Sequence, residues 1–124
     1  MTKRFKKIMC ALSAATCILG SSITAYAIDF DVTPPDDPYS YAVKKNDSEQ
    51  NAYVTGTSFS RSGVLYAYSQ QCADHSIRSN TMAISSSAPR DIKSYRKYAD
   101  SGLDYEMFSY SSVNGINVLG RFTP

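Results

Sequence analysis

Cys72 and His75 are the only cysteine and the only histidine after residue 27, and they lie three residues apart. A histidine beside a thiol can lower the thiol pKa and create a nucleophile. The Cys-x-x-His spacing, with Asp74 as a third ligand, also resembles half of a zinc site, but zinc sites need three or four ligands and no second cluster follows. We therefore interpret the pair as part of a polar loop and predict neither a catalytic nor a metal site.

Acidic residues form two groups that carboxylate chemistry could use. Four aspartates crowd residues 29–37, but the calcium-loop pattern is absent, so a solvated linker explains them better. Asp104 and Glu106 share one face of a predicted strand, and glycosidases use two carboxylates that flank a cleft. This is a weak argument for a small hydrolase, because no sizeable pocket is predicted and no hydrolase or phosphate-loop motif occurs.

Tyrosines are the residues best suited to binding. Tyr66 and Tyr68 share one face of a predicted strand, and Tyr53 lies on the polar face of another. Tyrosine combines a wide contact area with a hydrogen-bonding tip, which predicts a surface for a cell-surface glycan or an extracellular protein. Tyrosine also suits exposed strand positions without any ligand. The basic run at 93–97 is interpreted as a solvated face, with binding to an anionic surface as the alternative.

Residues 1–27 predict a secretory signal peptide that is cleaved after Ala27. Four basic residues and no acidic one precede an apolar run of about 13 residues, shorter than the roughly 20 of a membrane-spanning helix. Ala25 and Ala27 supply the small residues that the peptidase pockets accept. We therefore expect a secreted, extracellular protein with no membrane segment after cleavage.

Charge and cysteine content restrict the mature chain further. The 124-residue chain has 13 basic and 11 acidic residues, and removal of residues 1–27 takes four of the basic ones, which leaves a net charge of −2. A net charge this small lacks the excess of basic residues that a nucleic-acid-binding protein carries. We also expect no cofactor. Because Cys10 and Cys17 precede the cleavage site, Cys72 is either inert or forms an intermolecular disulfide in a Cys72-linked dimer.

Short alternating segments after residue 27 predict an all-β fold. Residues 28–51 are expected to form an N-terminal strand and an extended Pro/Asp-rich linker with Lys44 to Asp47 in water, and residues 52–124 an antiparallel β domain. The strand spacing is typical of a small β-sandwich, Ig-like or barrel-like, that follows a signal-peptide helix. Expected strands are 28–32, 52–59, 64–70, 81–85, 105–113 and 116–123, with a strand favoured over a helix at 90–103.

Two turn signals predict hairpins. The segment 60–63 joins two of the strands, with Gly63 able to adopt positive φ. Asn114 and Gly115 predict a type I′ turn between the last two strands, with Glu106 diagonal to Arg121. This register gives a core face of Tyr105, Met107, Val113, Ile116, Val118 and Phe122 and an outer face of Glu106, Phe108, Tyr110, Leu119 and Arg121.

The leader, the segment Asn51-Ala-Tyr-Val54 and the ending Gly120-Arg-Phe-Thr-Pro124 resemble small exported proteins of Gram-positive bacteria. In that group the ending resembles Gly-Arg-Trp-Thr-Pro, from which Phe122 departs. The resemblance implies a secreted β-rich domain and supplies no catalytic residues. Some small exported Gram-positive proteins are bacteriocin-like.

The sequence therefore predicts a non-catalytic extracellular β-sandwich that binds a partner through strand edges or through Tyr53, Tyr66 and Tyr68. The alternative is a bacteriocin-like antagonist of neighbouring cells. A small secreted hydrolase is the second alternative.

Overall fold

The computed structural model describes residues 26–124, which form eight β-strands and no helix. The predicted signal peptide lies outside the described residues, apart from Tyr26 and Ala27. The strands are β1 (Ile28–Val32), β2 (Val43–Lys44), β3 (Asn51–Phe59), β4 (Leu65–Gln71), β5 (Met82–Ile84), β6 (Arg90–Ser94), β7 (Asp104–Ser111) and β8 (Val118–Thr123).

The strands form two four-stranded antiparallel sheets. Sheet I has the order β1-β8-β3-β6, and sheet II has the order β2-β7-β4-β5. Their inner faces enclose one apolar core, whose largest fully buried apolar side chains are Tyr105, Phe122, Leu65, Met82, Ile84 and Met107. The predicted all-β class and antiparallel β-sandwich are confirmed.

Alternation along β8 shows why these residues form a half-buried strand. Val118 and Phe122 are buried, whereas Leu119 and Arg121 between them are exposed. Phe108 on β7 is only half-buried, so the prediction that Phe122 lies in the core and Phe108 outside it is confirmed. Burying one such aromatic side chain contributes about 1.5–3 kcal/mol to stability.

Both predicted hairpins are wrong, because the chain changes sheets at each of these turns. β3 belongs to sheet I and β4 to sheet II, while β7 belongs to sheet II and β8 to sheet I. At the last turn only Gly115 has positive φ (+79°), whereas a type I′ turn needs positive φ at Asn114 as well. The Gly115 N–H donates to the Pro34 carbonyl at 2.9 Å, so this turn docks on the loop after β1.

Residues 33–51 do not form a free linker. β2 pairs with the start of β7, and Tyr39 forms an isolated bridge with Phe108 further along the same strand. Residues 90–103 begin as a strand, as predicted, and continue after β6 as a connection with buried Tyr95 and Ala99.

Lys45, predicted to lie in water, is buried. Its ammonium donates to Asp47 Oδ1 at 3.0 Å and to the Pro124 backbone oxygen at 3.1 Å, and it lies 5.3 Å from the centroid of the Tyr95 ring. The prediction was wrong because Pro124 and Tyr95, both distant in sequence, replace the hydration that the ammonium loses.

Candidate functional site

The tyrosines singled out from the sequence lie on different sheets. Tyr66 and Tyr68 alternate with buried residues of β4 and lie on the outer side of sheet II. Tyr53 belongs to β3 in sheet I, where its hydroxyl is hydrogen-bonded to the Glu49 carboxylate. The structure therefore brings Tyr66 and Tyr68 together and leaves Tyr53 apart from them.

A cluster of rings covers the outer side of sheet II, and we call it the aromatic face. Tyr66 lies directly opposite Tyr110 and Tyr68 directly opposite Phe108, because β4 pairs with β7 in this register. The Tyr66 and Tyr110 rings are stacked with their centroids 5.1 Å apart, and the centroids of the Phe108 and Tyr68 rings are 5.4 Å apart. Tyr39 completes the set at 5.3 Å from Phe108. Aromatic pairs of this geometry contribute about 0.5–1.5 kcal/mol beyond their buried area.

Three members of the aromatic face were not assigned to it from the sequence. The sequence predicted an outward direction for Phe108 and Tyr110, but it paired their strand β7 with β8 instead of with β4. Tyr39 was placed in a linker. Alternation along β7 was the available signal for their outward direction, whereas their neighbours depend on a strand pairing between distant segments.

Arg78 extends the aromatic face beyond the edge of β4. Its backbone bridges to Gln70, and its guanidinium carbon lies 5.2 Å from the centroid of the Tyr68 ring, a cation–π distance. A pocket of about 190 Å³ opens beside Tyr68 and is lined by Tyr68, Arg78, Ser79, Asn80, Thr81 and Arg96. A cationic, polar pocket therefore adjoins an aromatic surface.

Glu106 lies at the end of the aromatic face and is fully buried. Its Oε2 accepts a hydrogen bond from Gln70 Nε2 at 2.9 Å and lies 3.6 Å from Nε2 of the half-exposed His75. The predicted pair with Arg121 is wrong, because β7 and β8 lie in different sheets. Arg121 instead lies 3.4 Å from Asp29 on β1.

The residues of the Cys72–His75 segment have separate partners. Cys72 is half-buried and forms no disulfide with another described residue, and its backbone N–H donates to the Asp104 carbonyl at 2.9 Å. The Ser76 hydroxyl and backbone N–H donate to Asp74 and hold the pKa of its carboxyl below the usual range. Between residues 26 and 124, no three His, Cys, Asp or Glu side chains are grouped as metal ligands.

A larger groove of about 480 Å³ lies at the β1 edge of sheet I. Its lining consists of Asp29, Phe30, Asp31, Tyr41, Thr57, Leu119, Gly120 and Arg121. Neither this groove nor the pocket beside Tyr68 is lined by Asp104, Glu106 or His75, the residues on which the hydrolase alternative depends.

In the described part of the chain, no helix has the length and apolar character needed to cross a membrane. Comparisons of the chain with protein-family models, with curated proteins and with solved structures each found no match.

Proposed function

We propose that this protein is a secreted, non-catalytic β-sandwich that binds a cell-surface glycan through its aromatic face. The observation that carries the proposal is the continuous set of five outward rings on sheet II. Ring faces stack on the C–H faces of sugars, while tyrosine hydroxyls exchange hydrogen bonds with sugar hydroxyls. Four of the five rings are tyrosines, so the surface combines both kinds of contact.

The distribution of exposed apolar residues supports a glycan over a protein partner. A stable protein interface buries about 800 Å² on each side, with an apolar centre. Here the large exposed hydrophobic residues lie on four separate parts of the chain, namely Ile92 on β6, Tyr98 and Leu103 in the β6–β7 connection, Tyr110 on β7 and Leu119 on β8. A narrow aromatic strip with polar tips suits a saccharide better.

Secretion is supported by the leader pattern of residues 1–27 and by the position of the first strand. β1 begins at Ile28, so cleavage after Ala27 removes no strand residue of the sandwich. The resemblance to small exported Gram-positive proteins points to the bacterial cell surface as the source of the glycan.

Binding of the purified protein to an array of bacterial and other glycans tests this function. We expect Tyr66→Ala and Tyr110→Ala each to weaken binding by about tenfold, or about 1.4 kcal/mol, because each variant removes one ring on which the sugar stacks. Tyr98→Ala is the matched control, because Tyr98 is 61% exposed and lies outside the aromatic face. Circular dichroism and thermal unfolding establish that each variant is folded.

Retention of full glycan affinity in both folded variants would contradict the proposal. A second contradicting result would be specific binding of a purified extracellular protein that no glycan displaces. If Tyr66→Ala and Tyr110→Ala also lost that binding, the aromatic face would be assigned to a protein partner.

A further inference from the structure

We propose that the pocket beside Tyr68 is an anion subsite, and that the glycan on the aromatic face carries a carboxylate, sulfate or phosphate group that occupies it. This inference rests on the proposed function, since it names the chemical class of the same ligand. Its basis is that two arginines, Arg78 and Arg96, line one small pocket.

The local backbone brings these two arginines together although they lie 18 positions apart in sequence. The Arg96 N–H donates to the Arg78 carbonyl at 2.9 Å, which holds the β6–β7 connection beside the β4–β5 connection. Guanidinium groups present planar forks of N–H donors that match carboxylate, sulfate and phosphate oxygens. Asn80 and Thr81 add polar side chains to the lining.

Among the described residues no counter-ion competes with an external anion at the pocket, and the Arg78 guanidinium donates to the Tyr68 hydroxyl at 3.5 Å. Within residues 26–124, no carboxylate forms an ion pair with Arg78 or Arg96. Asp91 is paired with Lys93 at 3.0 Å, and Glu106 accepts its hydrogen bond from Gln70.

The size of the pocket restricts what can enter it. A volume of about 190 Å³ is well below the roughly 300–1,000 Å³ of sites that enclose drug-sized ligands. The pocket therefore suits one charged substituent, while the sugar ring that carries it lies outside.

Tyr68 joins the pocket to the aromatic face. Its ring lies 5.4 Å from Phe108 on one side and 5.2 Å from the Arg78 guanidinium, and the same residue lines the pocket. A sugar stacked on Tyr68 thus has its substituents beside the arginines. This arrangement selects acidic over neutral saccharides.

The test compares neutral saccharides with carboxylated, sulfated and phosphorylated counterparts of the same backbone, using the purified protein at low salt. We expect at least one acidic series to bind about tenfold more tightly than its neutral counterpart, as one charge-assisted contact provides. Arg78→Gln and Arg96→Gln should each abolish the preference, and Arg96→Gln, which removes a side chain with no cation–π contact to the aromatic rings among the described residues, should leave neutral binding unchanged. Arg90→Gln, which removes the same charge from exposed β6, is the matched control.

A second measurement uses acetate, sulfate and phosphate alone, with the arginine side-chain Nε–H signals followed by NMR. We expect at least one of these anions to shift the signals assigned to Arg78 and Arg96, with the shift reduced at high salt. If no anion shifts either signal, the subsite is overturned.

The outcomes separate this inference from the proposed function. Equal affinity for neutral and acidic saccharides, with losses in Tyr66→Ala, overturns the subsite and keeps glycan binding. Anion-induced shifts without binding of any saccharide keep the subsite and overturn the proposed function.

Discussion

Lys45 and Glu106 are charged side chains that the sandwich buries completely. Removing such a charge from water costs several kcal/mol unless nearby groups replace the hydration. Lys45 has the Asp47 carboxylate and the Pro124 backbone oxygen as partners, whereas Glu106 accepts a hydrogen bond from the Gln70 amide through Oε2 and, among the described residues, none through Oε1. Strand alternation shows which way a side chain points, but it does not show which other segment will cover that side chain.

Tyr95 and Tyr105 form a buried aromatic contact in the core, and the hydroxyl of each is hydrogen-bonded to another residue. Their rings meet edge-to-face at 5.8 Å. The Tyr95 hydroxyl lies 2.7 Å from Ser69 Oγ, and the Tyr105 hydroxyl donates to the Asp100 carbonyl at 3.0 Å. Burial raises the pKa of both tyrosines above the ordinary value of 10, and Tyr95 is shifted further.

These raised pKa values predict a loss of stability in alkali. Both tyrosines are neutral in the folded and in the unfolded chain below about pH 10. Their full contribution to the free energy of unfolding is therefore present below that pH. Above that pH the unfolded chain loses its phenolic protons first, which favours unfolding until the folded pKa is reached. Between about pH 8 and pH 11, we expect the free energy of unfolding to fall by about 1 kcal/mol less in Tyr95→Phe than in the wild type. Urea unfolding at each pH measures this difference.

Ser69→Ala serves as the control for that titration, because it removes the hydrogen bond of Tyr95 but leaves the phenol in place. Equal slopes of stability against pH in the wild type and in Tyr95→Phe would show that the buried phenol does not set the alkaline limit.

At the scale of elements, the connections of this fold mostly join one sheet to the other. In the described part, β4 and β5 are the one consecutive pair of strands that hydrogen-bond directly. A short loop with glycine shows that the chain reverses direction. It does not determine whether the next strand pairs beside the previous one or crosses to the facing sheet, because both paths need the same reversal.

Gly56 and Gly120 lie directly opposite each other where β3 pairs with β8. The Phe30 ring from β1 covers Gly120, and the Phe59 ring covers Gly56. A Cβ atom at Gly120 would meet both the Phe30 ring and the Thr55 backbone oxygen. Glycine is therefore required there by close approach, which is what a glycine inside a strand pattern often indicates.

We expect Gly120→Ala to destabilise the protein by at least about 2 kcal/mol, because a backbone oxygen yields less readily than a flexible side chain. Denaturant unfolding followed by circular dichroism measures the change. Arg121→Ala is the matched control on the next residue of β8, where the loss of an exposed ion pair should cost under about 1 kcal/mol. Similar values for the two variants would contradict the steric argument.

At the scale of the whole molecule, the sandwich places its features on different surfaces. The aromatic face and the arginine pocket occupy sheet II and its margin, whereas the larger groove lies at the β1 edge of sheet I. This separation predicts that variants at Leu119 or Arg121 in the groove leave glycan binding unchanged.

The proposed secretion predicts a defined first residue for the mature protein. Expression of the full chain in a Gram-positive host should release a protein that begins at Ile28, as measured by N-terminal sequencing of the culture medium. Ala27→Leu should prevent this cleavage, because the peptidase pocket accepts only small residues there. An intact N-terminus in the medium, or retention of the wild-type chain in the cytoplasm, would contradict the prediction.

The sequence alone determined the positions of the strands other than β2 and the direction of most side chains. The period of two that places Phe122 inside and Tyr66, Tyr68 and Phe108 outside is a local property of each strand. Strand pairing, by contrast, depends on contacts between segments far apart in the chain. Only the tertiary structure could therefore separate β7 from β8, bury Lys45 and Glu106, and assemble the aromatic face beside two arginines.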